Sequence, residues 1–224
     1  MTEAFNIDCM EYMKTLPDKA FDLAVVDPPY GNAGGKFSAR NGTRFGGRFD
    51  RYDKDKKLRK KSNWDYAPGE DYFKELFRVS KNQIIWGGNY FSLPPCRCFI
   101  IWKKTNIPKN FSMAMCEYAW CSFNDNAKII EISSQGIANR FHPTQKPVAL
   151  YEWIYSRYAK EGDKILDTHM GSGSSRIAAY DMDFDYVGCE IDKDYFKKEE
   201  ERFKEHSAQL NLFLGGQHGK ERKL

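Results

Sequence analysis

No apolar run in this 224-residue sequence is long enough to span a bilayer. The N-terminus lacks the basic-then-apolar order of a signal peptide, so a cytoplasmic protein is expected. Six cysteines (Cys9, Cys96, Cys98, Cys116, Cys121, Cys189) include no CxxC pair, and the four histidines form no HExxH or other ligand spacing. Reduced thiols and no bound metal are therefore expected. Internal repeats and low-complexity tracts are also missing. What is present is 41% hydrophobic and 15% aromatic residues, enough for a real core in one domain. That domain is expected over residues 1–206, with a tail over 207–224.

Acidic residues are scarce in one segment only. Between Gly31 and Pro68 eleven Lys and Arg face four Asp, a local charge of +7 in a chain whose net charge is +4. The same segment carries six glycines and six aromatics: Phe37, Phe45, Phe49, Tyr52, Trp64 and Tyr66. Cations neutralise phosphates, aromatic faces stack on bases, and glycines let a loop close over a partner. The insertion 31–68 is thus a candidate DNA-contacting loop through Lys36, Arg40, Arg44, Arg48, Arg51, Lys56, Lys57, Arg59, Lys60 and Lys61. A solvated flexible insertion is the plainer alternative.

Outside that segment strands and helices alternate. Strands are expected at Phe5–Ile7, Asp22–Val26, Ile84–Trp86, Phe99–Trp102, Lys164–Leu166 and Tyr186–Cys189. Helices are expected at Met10–Leu16, from Pro68 through Phe77, from Val148 to Tyr158, and at Ser174–Tyr180 and Tyr195–His206. Met113–Phe123 and Lys128–Ile132 are expected to form a hairpin turning at Asn124-Asp125-Asn126. This order predicts an α/β three-layer sandwich with a mostly parallel sheet.

Two motifs carry chemistry. Asp27-Pro28-Pro29-Tyr30 follows the apolar run Leu23–Val26 and fits methylation of an exocyclic base amine. Such a nitrogen is a poor nucleophile because its lone pair is conjugated into the ring. The Asp27 carboxylate can accept one amine hydrogen and the Pro28 carbonyl the other, which draws the lone pair out. Pro28 and Pro29 stiffen the turn, and Tyr30 offers a face for an extruded base. A strand end with a proline turn would look the same locally. The second motif runs from Ile165 to Ser174, a strand entering Gly171-Ser172-Gly173 and then a helix. About twenty residues on, Glu190 ends the next strand, where an acid can accept both hydroxyls of a ribose.

With His142-Pro143-Thr144-Gln145-Lys146-Pro147 added, the chain resembles the S-adenosylmethionine-dependent DNA amino-methyltransferases. The catalytic motif precedes the glycines, as in the permuted, beta-type group. The resemblance covers roughly residues 5–30 and 140–200. It implies a Rossmann-like methyltransferase fold, S-adenosylmethionine as cofactor and DNA as partner. It implies Asp27, Pro28, Pro29 and Tyr30 as the catalytic group. It further implies Asp167, Gly171, Ser172 and Gly173 against the methionine part and Glu190 on the ribose. Asp8 and Cys9 would lie beside the adenine ring. His142, Thr144 and Lys146 would close the methionine pocket, where Lys146 could pair with the carboxylate. Adenine N6 is expected rather than cytosine N4, because the family's cytosine enzymes more often carry Ser in place of Asp27. Two departures stand out: His169-Met170 where an aromatic is frequent, and no large separate target-recognition region. The latter predicts short or relaxed sequence specificity, or a homodimer that shares the reading.

Near the end, Gln209-Leu210-Asn211-Leu212-Phe213 resembles the pentapeptide with which bacterial replication proteins dock on the sliding clamp. Gln209, Leu212 and Phe213 would be the anchors; equally, Leu210, Leu212 and Phe213 could pack back on the domain. Three other readings remain open. One is cytosine-N4 methylation of DNA, another is methyl transfer to RNA or protein glutamine, and the third is a non-catalytic DNA-binding protein tethered to the clamp.

Overall fold

A computed structural model describes residues 1–30, 67–108, 110, 114–134, 140–142 and 144–213, of which 210–213 as backbone only. The basic candidates from Lys36 to Lys61 lie outside the described residues, as does Pro143. Along the chain come β1 (Thr2–Phe5), α1 (Cys9–Lys14), β2 (Phe21–Val26), α2 (Glu70–Val79), β3 (Ser80–Trp86), β4 (Phe99–Lys104) and β5 (Cys116–Cys121). Then follow β6 (Lys128–Ile132), α3 (Val148–Tyr158), β7 (Lys164–Asp167), α4 (Ser174–Asp181), β8 (Asp185–Cys189) and α5 (Lys193–Phe213). The eight described strands form one sheet in the order β1-β8-β7-β2-β3-β5-β4-β6. Every pairing is parallel except the two made by β5, which runs against β3 and β4.

The period-2 alternation of the strands divides the core in two. Leu23 and Val25 of β2 face one cluster with α3 and α4, through Leu150, Tyr151, Ile154, Tyr155 and Ala178. Ala24 and Val26 face the other with α1 and α2, through Met13, Tyr72, Phe73, Leu76 and Val79. Helices on both faces of a mostly parallel sheet make the expected three-layer sandwich. In α2 the buried residues recur at helical spacing, with Glu70 and Asp71 in the first turn and Arg78 in the last, as the helix dipole favours. Arg78 ties α2 to α1 by donating to the carbonyls of Met13 and Leu16, each at 2.8 Å.

Three expectations are corrected. The first strand is Thr2–Phe5 rather than Phe5–Ile7, and Asp8 caps α1 by accepting from the Met10 N–H. The expected hairpin does not form: β4 lies between β5 and β6, antiparallel to the first and parallel to the second. Residues 122–127 cross the start of β4, where Arg97 donates to Asn126 Oδ1 at 2.7 Å. Local turn chemistry read that crossing as a two-strand turn, but the apolar Phe99–Trp102 run fits the space between the two strands. The last helix begins at Lys193 and continues to Phe213, beyond the expected end at His206. Nothing from Ser207 to Phe213 breaks a helix, and the first glycine pair is Gly215-Gly216.

Leu76 is fully buried between α2 and the sheet. Leu76→Ala should lower stability by about 3 kcal/mol, read by denaturant unfolding; a loss well under 1 kcal/mol would mean that α2 is not packed there.

Candidate active site

The parallel strands end on one edge of the sheet, and the sequence motifs collect there. Asp27 follows β2, Gly87 follows β3, Asp167 ends β7 and Glu190 follows β8. Because β5 is reversed, its beginning comes to the same edge and brings Glu117 with it.

Asp27 is held from both carboxylate oxygens. The Tyr30 hydroxyl donates to Oδ1 at 2.6 Å, and the Lys146 ammonium donates to Oδ2. Lys146 is 4% exposed and also pairs with Glu117 at 3.2 Å. Its ammonium lies 5.2 Å from the centre of the Trp86 ring. Burial works against the Lys146 charge, but Asp27 and Glu117 outweigh it and leave its pKa above the ordinary value. Burial likewise works against the Glu117 charge, and Lys146 and Lys104 more than offset it, so its pKa is lowered. Lys146 is therefore engaged with Asp27 and Glu117. A buried ammonium needs counter-charges supplied by the fold itself.

The Tyr30 ring stacks on Tyr90, with centroids 4.8 Å apart and planes at 22°, and meets Phe91 edge-on at 6.1 Å. Gly87, in the left-handed region at φ +67°, sits so close to Tyr30 that any side chain would collide with the ring. Burial, and then the Asp27 charge, hold the Tyr30 phenol far above its ordinary pKa, so it acts as a donor.

On the other side of Asp27, Glu190 accepts the Gly171 N–H at 2.9 Å through Oε2 and the Asp192 N–H at 2.8 Å through Oε1. Burial raises its pKa. Gly171 has φ +54°, and a Cβ there would press on the His142 ring at 3.3 Å. His142 stands edge-on to Tyr195 at 4.4 Å, and its Nδ1 lies 3.2 Å from Thr144 Oγ1. Burial depresses its pKa to about 4, so the ring is neutral. The second glycine has another reason to be glycine: a Cβ on Gly173 would collide with Glu199 of α5. Arg202 of the same helix donates to the Ser172 carbonyl at 2.6 Å, fixing the turn from behind. Asp167, 2% exposed, accepts from Ser175 Oγ at 2.6 Å and from the His169 N–H at 3.0 Å. Burial also pushes the Cys9 thiol up to about 12, so it is not a thiolate.

The cradle fits a nucleoside cofactor. Glu190 is oriented by two backbone donors with lone pairs to spare for hydroxyls. The Gln145 Nε2 is buried among these segments without a partner. Gln209 is exposed near the end of α5, and the backbone of Leu212 and Phe213 is helical. The sequence reading missed Glu117, Tyr90 and Trp86. Gly87-Gly88 after Trp86 was a usable signal for a close approach, whereas Glu117 gave none.

A DNA methylase family model matches residues 101–201. The type II methyltransferase M.HinfI of Haemophilus influenzae is 26% identical over 248 residues, spanning 88% of this chain and 67% of that protein. M2.MboI of Moraxella bovis is 24% identical, spanning 90% of this chain and 88% of that one. The family model and these relatives together support a DNA amino-methyltransferase. The crystal structure of an M1.HpyAVI–SAM complex superposes on this methyltransferase with a TM-score of 0.59 at 21% identity. It covers 90% of this chain and 100% of that one, a likeness of fold. Among the described residues of the methyltransferase, no helix is long and apolar enough to cross a membrane.

Burial raises the Asp167 pKa from 3.8 to about 7, so the folded state keeps a proton that the unfolded chain gives up. Its contribution to stability therefore falls as pH rises from about 4 to about 7. Asp167→Asn should remove that slope and gain roughly 4 kcal/mol over the wild type at pH 8, with a gap about half that size at pH 5. Thermal unfolding at the two pH values checks this, and a gap that does not change with pH would refute it.

Proposed function

We propose that this methyltransferase transfers a methyl group from S-adenosylmethionine to the N6 amine of adenine in DNA. The observation that carries the reading is the Asp27 carboxylate, fixed from both oxygens beside the Gly171–Glu190 cradle. Bound in that cradle, S-adenosylmethionine supplies an electrophilic methyl group.

The residues of the chain do the rest. Glu190 accepts ribose hydroxyls with the lone pairs left by its two backbone donors. His142, neutral and packed over Gly171, walls the methionine part together with Thr144, Asp167, Ser172 and Gly173, and Asp8 and Cys9 lie on the adenine side. Each Asp27 oxygen has a lone pair beyond the one taken by Tyr30 or Lys146, and one of these accepts an amine hydrogen. The Pro28 carbonyl, held by Pro29, accepts the other. The amine lone pair would then be free to take the methyl group as its bond to the cofactor's sulfur breaks, and positioning with electrostatics would supply most of the acceleration. The base stacks on Tyr30 by taking the place of Tyr90. Asp at position 27, rather than Ser, favours adenine over cytosine.

The basic residues from Lys36 to Lys61 would track the DNA backbone, and a cytoplasmic setting suits such a substrate. Clamp docking through Gln209, Leu212 and Phe213 as an extended peptide would require the last turn of α5 to unwind. Loss of clamp binding on changing Leu212 and Phe213 tests that segment, and no binding by the wild type would dismiss it.

Radiolabelled methyl transfer to unmethylated DNA, followed by analysis of the modified base, is expected to yield N6-methyladenine. Label on cytosine would replace the adenine reading, and no label on DNA would favour a binding protein. Asp27→Ala should reduce turnover by about a hundredfold or more while binding of S-adenosylmethionine persists. Equal loss of cofactor binding would assign Asp27 another role.

A further inference from the structure

Asp27 is the end of a longer line of charge. Lys104 of β4 pairs with Glu117 Oε1 at 2.6 Å, Glu117 Oε2 pairs with Lys146 at 3.2 Å, and Lys146 pairs with Asp27 Oδ2. Cations and anions alternate, two of each. The line crosses three separate pieces of chain: the β4–β5 pair, the loop before α3 and the turn after β2. Lys146 is the most enclosed member, its side chain 3% exposed against 15% for Asp27, 26% for Glu117 and 11% for Lys104.

We propose that Glu117 is a positioning residue for methyl transfer: it keeps the Lys146 ammonium charged and aimed at Asp27, with Lys104 as its outer support. This rests on Asp27 being the acceptor of the base amine. A buried ion line is weak ground for stability, since apolar side chains of similar volume would pack as well or better. Its value lies in geometry. With Tyr30 on Oδ1 and Lys146 on Oδ2, the carboxylate cannot rotate, and the oxygen that meets the amine stays in place. Glu117 fixes Lys146 in turn, because an ammonium on a four-carbon stem is otherwise free to swing. Trp86, rigid in the core, floors the same ammonium.

Among the described residues, the charged and titratable groups around Lys146, Asp27 and Glu117 are few. Asp27 and Tyr30 come from the turn after β2, Glu117 and, behind it, Lys104 from the β4–β5 pair, His142 from its own loop and Tyr151 from α3. His142 is neutral, and the Tyr30 and Tyr151 phenols are held protonated by burial. Among the described residues, Asp27 and Glu117 therefore oppose the burial that favours loss of the Lys146 proton. Removing Glu117 lowers the Lys146 pKa, and the ammonium is lost at a lower pH.

The experiment measures kcat and KM of the full chain on DNA between about pH 6 and pH 10, a range in which a charged lysine keeps its proton. The wild type is expected to show no alkaline fall there. Glu117→Gln should lower kcat about tenfold with KM for S-adenosylmethionine within about twofold, the signature of a lost transition-state interaction. It should also gain an alkaline fall below about pH 10. Glu117→Asp keeps the charge but draws the carboxylate back, so kcat should be intermediate with the flat wild-type profile. Wild-type kcat and pH profile in Glu117→Gln would overturn the proposal. So would full wild-type kcat in Glu117→Asp, which decides the matter if the glutamine variant does not fold. Absence of DNA methylation by the wild type would instead strike the functional reading itself.

Discussion

A lysine ammonium taken out of water has to be neutralised by the fold, and Lys146 is neutralised by Asp27 and Glu117 together. Much of the site follows from that requirement. The loop before α3 must come down onto the turn after β2, and β5 must run backwards so that its first residues reach the same edge. Once the three pieces meet, the Asp27 carboxylate is fixed from Oδ2, and the Tyr30 hydroxyl completes the hold from Oδ1. The role proposed for Asp27, accepting one amine hydrogen at a defined angle, draws on that rigidity.

The Gly171–Glu190 side of the site is organised by backbone rather than by charge. Two N–H groups, from Gly171 and Asp192, orient Glu190, while Glu199 and Arg202 of α5 press on the glycine turn from outside. The two glycines thus serve different neighbours: Gly171 makes room beside His142, and Gly173 makes room for Glu199. The long last helix is therefore part of the cradle.

Much of this was legible from residue order. Asp27–Tyr30, Gly171–Gly173 and Glu190 each end or follow an apolar run that reads as a buried strand, and parallel strands deliver such ends to one edge. The continuous apolar run Leu23–Val26 reads as a buried strand, and in the structure its alternate residues pack against both helical layers. Where reading failed, the cause was non-local. The Asn124–Asn126 turn looked like a hairpin because turn residues report chain direction and say nothing of a third strand between. The tail expected after His206 is helical as far as Phe213, because nothing between Ser207 and Phe213 breaks a helix. Nothing in the sequence places Glu117 near Lys146.

The sequence by itself determined the chemistry on offer: a carboxylate before two prolines and a tyrosine, a glycine turn after a strand, and an acid one strand later. These are local facts, set by covalent order and by the strand and helix periods. Only the tertiary structure decided which charges meet. Lys104, Glu117 and Lys146 stand far apart along the chain, and Asp27 stands further still. They become neighbours because β5 is antiparallel in an otherwise parallel sheet, and a buried charge is stable only where such crossings bring its opposite within reach.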